Sequence, residues 1–70
     1  MKIVEINKEP VELYKILKFE GMCASGGEAK MAVSEGQVLV NGEIETRKRK
    51  KIVSGDIIEF CNEKIQVQRA

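Results

Sequence analysis

The stretch Gly36-Gln37-Val38-Leu39-Val40-Asn41-Gly42-Glu43-Ile44-Glu45-Thr46-Arg47-Lys48-Arg49-Lys50-Lys51 decides how this chain folds. Val38 and Val40, then Ile44 and Thr46, recur with period two around Asn41-Gly42. An Asn-Gly pair between two such runs is a strong hairpin signal, because both residues tolerate the positive φ of a two-residue turn. Five consecutive cations follow directly. Alternation would send Arg47, Arg49 and Lys51 to one side and Lys48 and Lys50 to the other. Neither side can then face a core, so a loop or a protruding edge is expected here.

The total charge is nearly balanced, with 12 basic against 11 acidic side chains. Outside residues 47–51 that balance becomes 7 against 11. The run would span roughly 17 Å if extended, and a phosphate backbone is attracted to such a patch. Lysines also guard exposed sheet edges, although one or two suffice for that. An acidic protein surface or an anionic membrane is the other class of partner. Tyr14, Phe19 and Phe60 are the only aromatics, and both phenylalanines stand in apolar contexts that read as core. Little is left for stacking single-stranded bases. Structured RNA, read by shape through cations and backbone donors, is the expected nucleic acid.

Upstream, Ser25-Gly26-Gly27-Glu28 fits a capping box, with Ser25 as N-cap and Glu28 reaching back to it. Ala29, Ala32 and Val33 then form a narrow stripe of small residues, and Gly36 supplies a left-handed exit. Before that turn, Leu13, Ile16 and Leu17 mark an earlier helix at i, i+3, i+4, with Pro10 placed in its first turn and Gly21 ending it. Lys2 to Ile6 reads as a short strand. Downstream, Ser54-Gly55-Asp56 and Asn62-Glu63 mark turns flanking the strands Ile57–Phe60 and Ile65–Val67. The expected class is α+β: two helices packed on one face of a small, mostly antiparallel sheet.

Seventy residues make one domain, 1–70, with a small core. No apolar run approaches the ~18 residues of a membrane span, and no signal-peptide core is present, so a cytoplasmic protein is expected. Cys23 and Cys61 lack the spacing of a zinc site, and both are expected to be small buried apolar residues. With no histidine and no paired carboxylates, catalysis finds no support. Ser25 is better explained as a cap than as a nucleophile. A ubiquitin-like sulfur carrier would need a terminal Gly-Gly where this sequence has Arg69-Ala70. Neither a cofactor, a metal nor a small-molecule substrate is expected, and no long exposed apolar stripe asks for a second copy, so a monomer is expected.

The helix N-terminus at Ser25-Gly26-Gly27 offers bare N–H groups to a phosphate, with Lys30 one turn on. The two glycines equally suit a tight inter-helix turn, and the charge of Glu28 opposes an anion there. Lys15 and Lys18 are more often simple solvated charges.

From Leu17 to Ile58, about 60% of the chain, the sequence resembles the RNA-binding domain of the ribosomal protein S-four type, the alpha-L motif. The likeness rests on Leu17, Gly21, Ser25, Ala29-Lys30, the run Gly36 to Gly42, and Gly55-Asp56. It is similar in particular to the small free-standing bacterial members of the YbcJ type. These share the Ser-Gly-Gly stretch, the Val-Asn-Gly-Glu hairpin and the segment Glu45-Thr46-Arg47-Lys48-Arg49. The resemblance implies a non-catalytic protein that binds structured RNA, ribosomal or transfer, through the two helices and the adjoining basic segment. A role in ribosome assembly or translation would follow. The implied contact set is Arg47, Lys48, Arg49, Lys50 and Lys51, with Lys18 and Lys30 from the helices and Ser25, Gly26 and Gly27 from the turn. Many members place an arginine after the serine, where this chain has Gly26, which shifts weight to residues 47–51. The alternative is a small adaptor for an acidic protein partner.

Overall fold

The computed structural model describes residues 1–70. In chain order the elements are β1 (Lys2–Ile6), β2 (Val11–Glu12), α1 (Leu13–Phe19), α2 (Gly26–Ser34), β3 (Val38–Val40), β4 (Glu43–Ile44), β5 (Lys51–Ile52), β6 (Ile57–Phe60) and β7 (Glu63–Arg69). Five strands form one sheet in the order β1-β7-β6-β3-β4, and β2 pairs separately with β5. Only the β1–β7 pairing is parallel. The α+β class, with two helices over a mostly antiparallel sheet, is therefore the observed one.

Alternation places Val38, Val40, Ile58, Ile65 and Val67 on the inner face of the sheet, together with Val4, and all are buried. Leu13, Ile16 and Leu17 of α1 and Ala29, Ala32 and Val33 of α2 cover them. Because the α2 stripe is built from small residues, the two helices approach closely above the strands. Cys23, from the inter-helix turn, and Ile52, from β5, complete the core. The opposite sheet face is open and mixed, with Ile3 and Ile44 exposed on it and the Lys64 ammonium 3.2 Å from the Glu59 carboxylate across the β6–β7 pair.

Both signalled helix exits form. Gly21 and Gly36 have φ of 72° and 76°, the left-handed conformation that ends a helix without steric cost in glycine. Asn41 and Gly42, at φ 53° and 84°, make the turn between β3 and β4.

Several expectations are corrected. Pro10 lies outside the helix: Val11 and Glu12 pair with Ile52 and Lys51, and α1 begins only at Leu13. Phe19 is 71% exposed rather than in the core, and Phe60 only packs against its margin. Cys61 is exposed, since it and Asn62 are the positive-φ residues, at 51° and 65°, of the turn after β6. That turn is Cys61-Asn62, one residue earlier than expected. The strand expected through Thr46 stops at Ile44. In the capping box only the Ser25 half forms, its Oγ accepting the Glu28 N–H at 3.2 Å. No helix is long and apolar enough to cross a membrane.

Candidate nucleic-acid interface

The basic segment is a loop, and its main chain is put to structural use. An α-helix leaves its first N–H groups without partners, and the residue before α1, Glu12, gives no side-chain cap. The carbonyls of the basic segment take that place. Leu13 N–H donates to the Lys50 carbonyl at 2.9 Å, and Tyr14 N–H donates to the Lys48 carbonyl at 3.1 Å. A turn closed by Lys50 N–H on the Arg47 carbonyl, 3.0 Å, shapes the loop. Lys51 then enters β5 opposite Glu12. The backbone is thus fastened across the start of α1, while the side chains of Lys48, Arg49 and Lys51 are exposed and Lys50 is half-buried.

Tyr14 joins this segment to the helices. The Lys30 Nζ of α2 lies 4.7 Å from its ring centroid, and the Arg49 guanidinium carbon lies 5.5 Å away. Both are within the reach of a cation–π attraction. A Cβ built on Gly26 would stand 3.9 Å from Tyr14 Cε2 and 4.0 Å from Lys18 Cδ. Gly26, Lys30 and Arg49 therefore stand around one aromatic ring, and the Lys18 side chain lies beside Gly26. Tyr14 itself was not among the expected residues. The available signal was its place on α1, directly after Leu13 and one turn before Lys18.

Not all cations of the run are equally free. Arg47 grips Glu45 with both ends of its guanidinium, Nε to Oε2 at 2.9 Å and Nη2 to Oε1 at 3.2 Å, and its backbone N–H adds a third bond at 3.0 Å. These hydrogen bonds hold the Glu45 carboxyl below the usual carboxylate range despite some desolvation. Arg49 approaches Glu12 at 3.4 Å, and Glu12 also meets Lys15 at 3.3 Å. Desolvation pushes the Glu12 carboxyl up, but the hydrogen bonds and charges of Lys15 and Arg49 outweigh it and leave it lowered. Lys18, Lys30, Lys48, Lys50 and Lys51 take part in none of the five ion pairs.

The Ser25-Gly26-Gly27 turn lies beside this group. Its Ser25 hydroxyl is engaged as the α2 cap. Neither Gly26 nor Gly27 has positive φ, so their value here is space, not backbone freedom. At Gly26 a side chain would make only ordinary contacts.

The sequence signatures at Asn41 and Gly55-Asp56 serve the scaffold. Asn41 Nδ2 donates to Asp56 Oδ1 at 3.0 Å, and Asn41 Oδ1 accepts from Ile57 N–H at 2.9 Å. Asp56 Oδ2 accepts from Val53 N–H at 3.0 Å. These bonds tie the β3–β4 hairpin to the turn after β5. Both ends of the basic segment are fixed in this way.

With this geometry established, comparison with known proteins is decisive. The S4 domain family model matches residues 4–68. The chain belongs to the S4 domain family. This S4 domain is 48% identical over 68 residues to "Putative RNA-binding protein YbcJ" of Escherichia coli strain K12, covering 96% of this chain and 97% of that protein. It is 39% identical over 57 residues to "Probable ribosome maturation protein RlbA" of Bacillus subtilis strain 168, covering 81% of this chain and 80% of that one. The solution structure of E. coli YbcJ, described as revealing an alpha-L motif involved in RNA binding, superposes with a TM-score of 0.74. That match covers 97% of this S4 domain and 87% of the YbcJ chain. The resemblance read in Leu17 to Ile58 thus extends over nearly the whole molecule.

Proposed function

We propose that this S4 domain binds structured RNA, ribosomal or transfer, and catalyses no reaction, acting in ribosome assembly or translation. The observation that carries the proposal is the gathering of Lys18, Lys30, Lys48 and Arg49 around the junction of α1, α2 and the basic segment. Four cations from three parts of the sequence, three of them free of ion pairs, form a surface suited to several phosphates at once. Lys50 and Lys51 extend it, and Arg47 stands at its edge, bound to Glu45. Gly26 and Gly27 leave the start of α2 uncovered between them, with Ser25 holding its backbone in place. The names borne by the YbcJ and RlbA proteins agree with this assignment.

Recognition on this surface is electrostatic and positional. Cations fixed on two helices and a fastened loop can match the phosphate spacing of a folded RNA, which a flexible basic tail cannot do. Neutralising three to five phosphates gives a slope of log affinity against log salt of roughly −2 to −4. The test is binding to a structured ribosomal or transfer RNA fragment, to single-stranded RNA and to duplex DNA across a salt series. A preference for structured RNA, lost in a Lys48→Ala/Arg49→Ala variant that still folds, is the expected result. Equal, weak binding to all three polymers would refute the proposal, and capture of an acidic protein that survives nuclease treatment would then favour an adaptor.

A further inference from the structure

Tyr14 is the one aromatic side chain among the cations, and nothing in the charge pattern accounts for it. We propose that Tyr14 is a positioning residue that holds Lys30 and Arg49 as a paired clamp for an RNA phosphate group; the inference rests on the RNA-binding function proposed above. Three observations converge on it. Its ring lies within 4.7 Å of the Lys30 ammonium and 5.5 Å of the Arg49 guanidinium. The two cations therefore stand no farther apart than about 10 Å, roughly one Debye length at 0.1 M salt, where like charges still repel. Its backbone N–H holds the Lys48 carbonyl at 3.1 Å, fixing the residue beside Arg49.

Nothing else on the surface keeps this pair together. Lys30 has no carboxylate partner. Arg49 has Glu12 at 3.4 Å, a carboxylate it shares with Lys15. Two cations drawn to one electron-rich ring while repelling each other form an arrangement that an anion between them relieves. Long side chains lose rotamer freedom when they bind, and prior attachment to the ring lowers that cost. Gly26, beside the ring edge, keeps the approach free of a side chain. The ring is half-buried and already occupied by the two cations, so it acts through them and is not the surface on which a base stacks.

The test compares Tyr14→Phe, which keeps the ring, with Tyr14→Leu, which removes it. Tyr14→Met serves as a second ring-free variant should Tyr14→Leu fail to fold. For folded variants, removal of the ring should weaken binding to a structured ribosomal RNA fragment about 3- to 10-fold. The salt slope should become shallower by about one. Tyr14→Phe should stay within about 2-fold of the parent. In a Lys30→Ala/Arg49→Ala background, the same ring removal should change affinity by less than about 2-fold, because interacting residues are non-additive. Free protein gives an independent readout: the Lys30 Hε and Arg49 Hδ protons should show ring-current shifts that vanish with the ring.

Undiminished binding by the ring-free variants overturns the positioning role alone, provided the parent binds RNA. A full loss that persists in the Lys30→Ala/Arg49→Ala background overturns it in favour of direct base stacking by Tyr14. Absence of the ring-current shifts overturns the clamp whatever the RNA result. A parent protein with no RNA binding at all overturns both the clamp and the function on which it rests.

Discussion

Replacing Asn41 by alanine should destabilise the fold far more than an exposed turn residue ordinarily would. Asn41 sits at φ 53°, donates to Asp56 Oδ1 at 3.0 Å and accepts from Ile57 N–H at 2.9 Å. Each lost hydrogen bond costs about 1 kcal/mol net. Alanine held in the left-handed region adds about 1 kcal/mol that asparagine largely avoids. The total is about 2–3 kcal/mol, a large share of the stability of a small domain. For a chain of this size it lowers Tm by roughly 10–20 °C. Asn41→Gly loses the same two bonds but not the backbone preference, so its cost should be roughly 1 kcal/mol smaller. Urea unfolding of the three proteins, with m-values compared, measures both quantities. If Asn41→Ala stayed within about 0.5 kcal/mol of the parent, the hydrogen bonds linking the hairpin to Asp56 would contribute nothing. If glycine were no better than alanine, the conformational part of the reasoning would be wrong.

Other outcomes follow from the ion pairs and the thiols. Arg47→Ala should reduce RNA affinity less than Arg49→Ala or Lys48→Ala, because Arg47 is already bound to Glu45 through two side-chain bonds; equal losses in a filter-binding assay would contradict this. The Arg47 hydrogen bonds lower the Glu45 carboxyl in the folded state. Its stabilising effect is therefore present above the ordinary carboxylate pKa and is lost as pH falls through the lowered folded value. Glu45→Gln should flatten that acid limb of a Tm-against-pH profile, and superimposable profiles would refute the assignment. Of the two cysteines, exposed Cys61 should react quickly with a thiol reagent in the native state, whereas Cys23 should react only on unfolding. Burial also pushes the Cys23 thiol pKa up, which slows it further; two fast thiols in native protein would contradict the fold.

The parts of the structure written in local patterns were legible. The stripe Leu13, Ile16, Leu17, the Ser25 cap, the Asn41-Gly42 turn and the exits at Gly21 and Gly36 all depend on residues within a few positions of one another. What stayed hidden depends on distant partners. Pro10 looks like a helix start, yet Val11 and Glu12 are drawn into pairing with Ile52 and Lys51 some forty residues away. No local window contains that competitor. Cys61 ends an apolar run, but the register Phe60↔Glu63 makes it a turn residue. Its Cys-Asn pair is a poor match to the usual turn residues. Phe19, by contrast, has an exposure legible in the helical spacing. Six residues after Leu13, at 100° per residue, it falls about 120° from the centre of the buried stripe.

The candidate site divides in the same way. The five-cation run and Lys30 are visible as charges, but the sequence does not reveal that Arg47 turns to Glu45 while Arg49 turns to Tyr14. Tyr14 reads as an isolated aromatic until α1, α2 and the basic segment are brought together. The Asn-Gly and Gly-Asp signatures reveal a turn each; that they hydrogen-bond to one another across fifteen residues emerges only in the fold.

The most direct measurement of the central claim is titration of isotope-labelled protein with a structured ribosomal RNA fragment, followed by amide and side-chain chemical shifts. Perturbations should concentrate on Lys18, Gly26, Gly27, Lys30 and Lys48 to Lys51, leaving the open sheet face around Leu39, Glu59 and Gln66 unmoved. Shifts centred on that sheet face, or none at RNA concentrations that compete with ordinary salt, would contradict it.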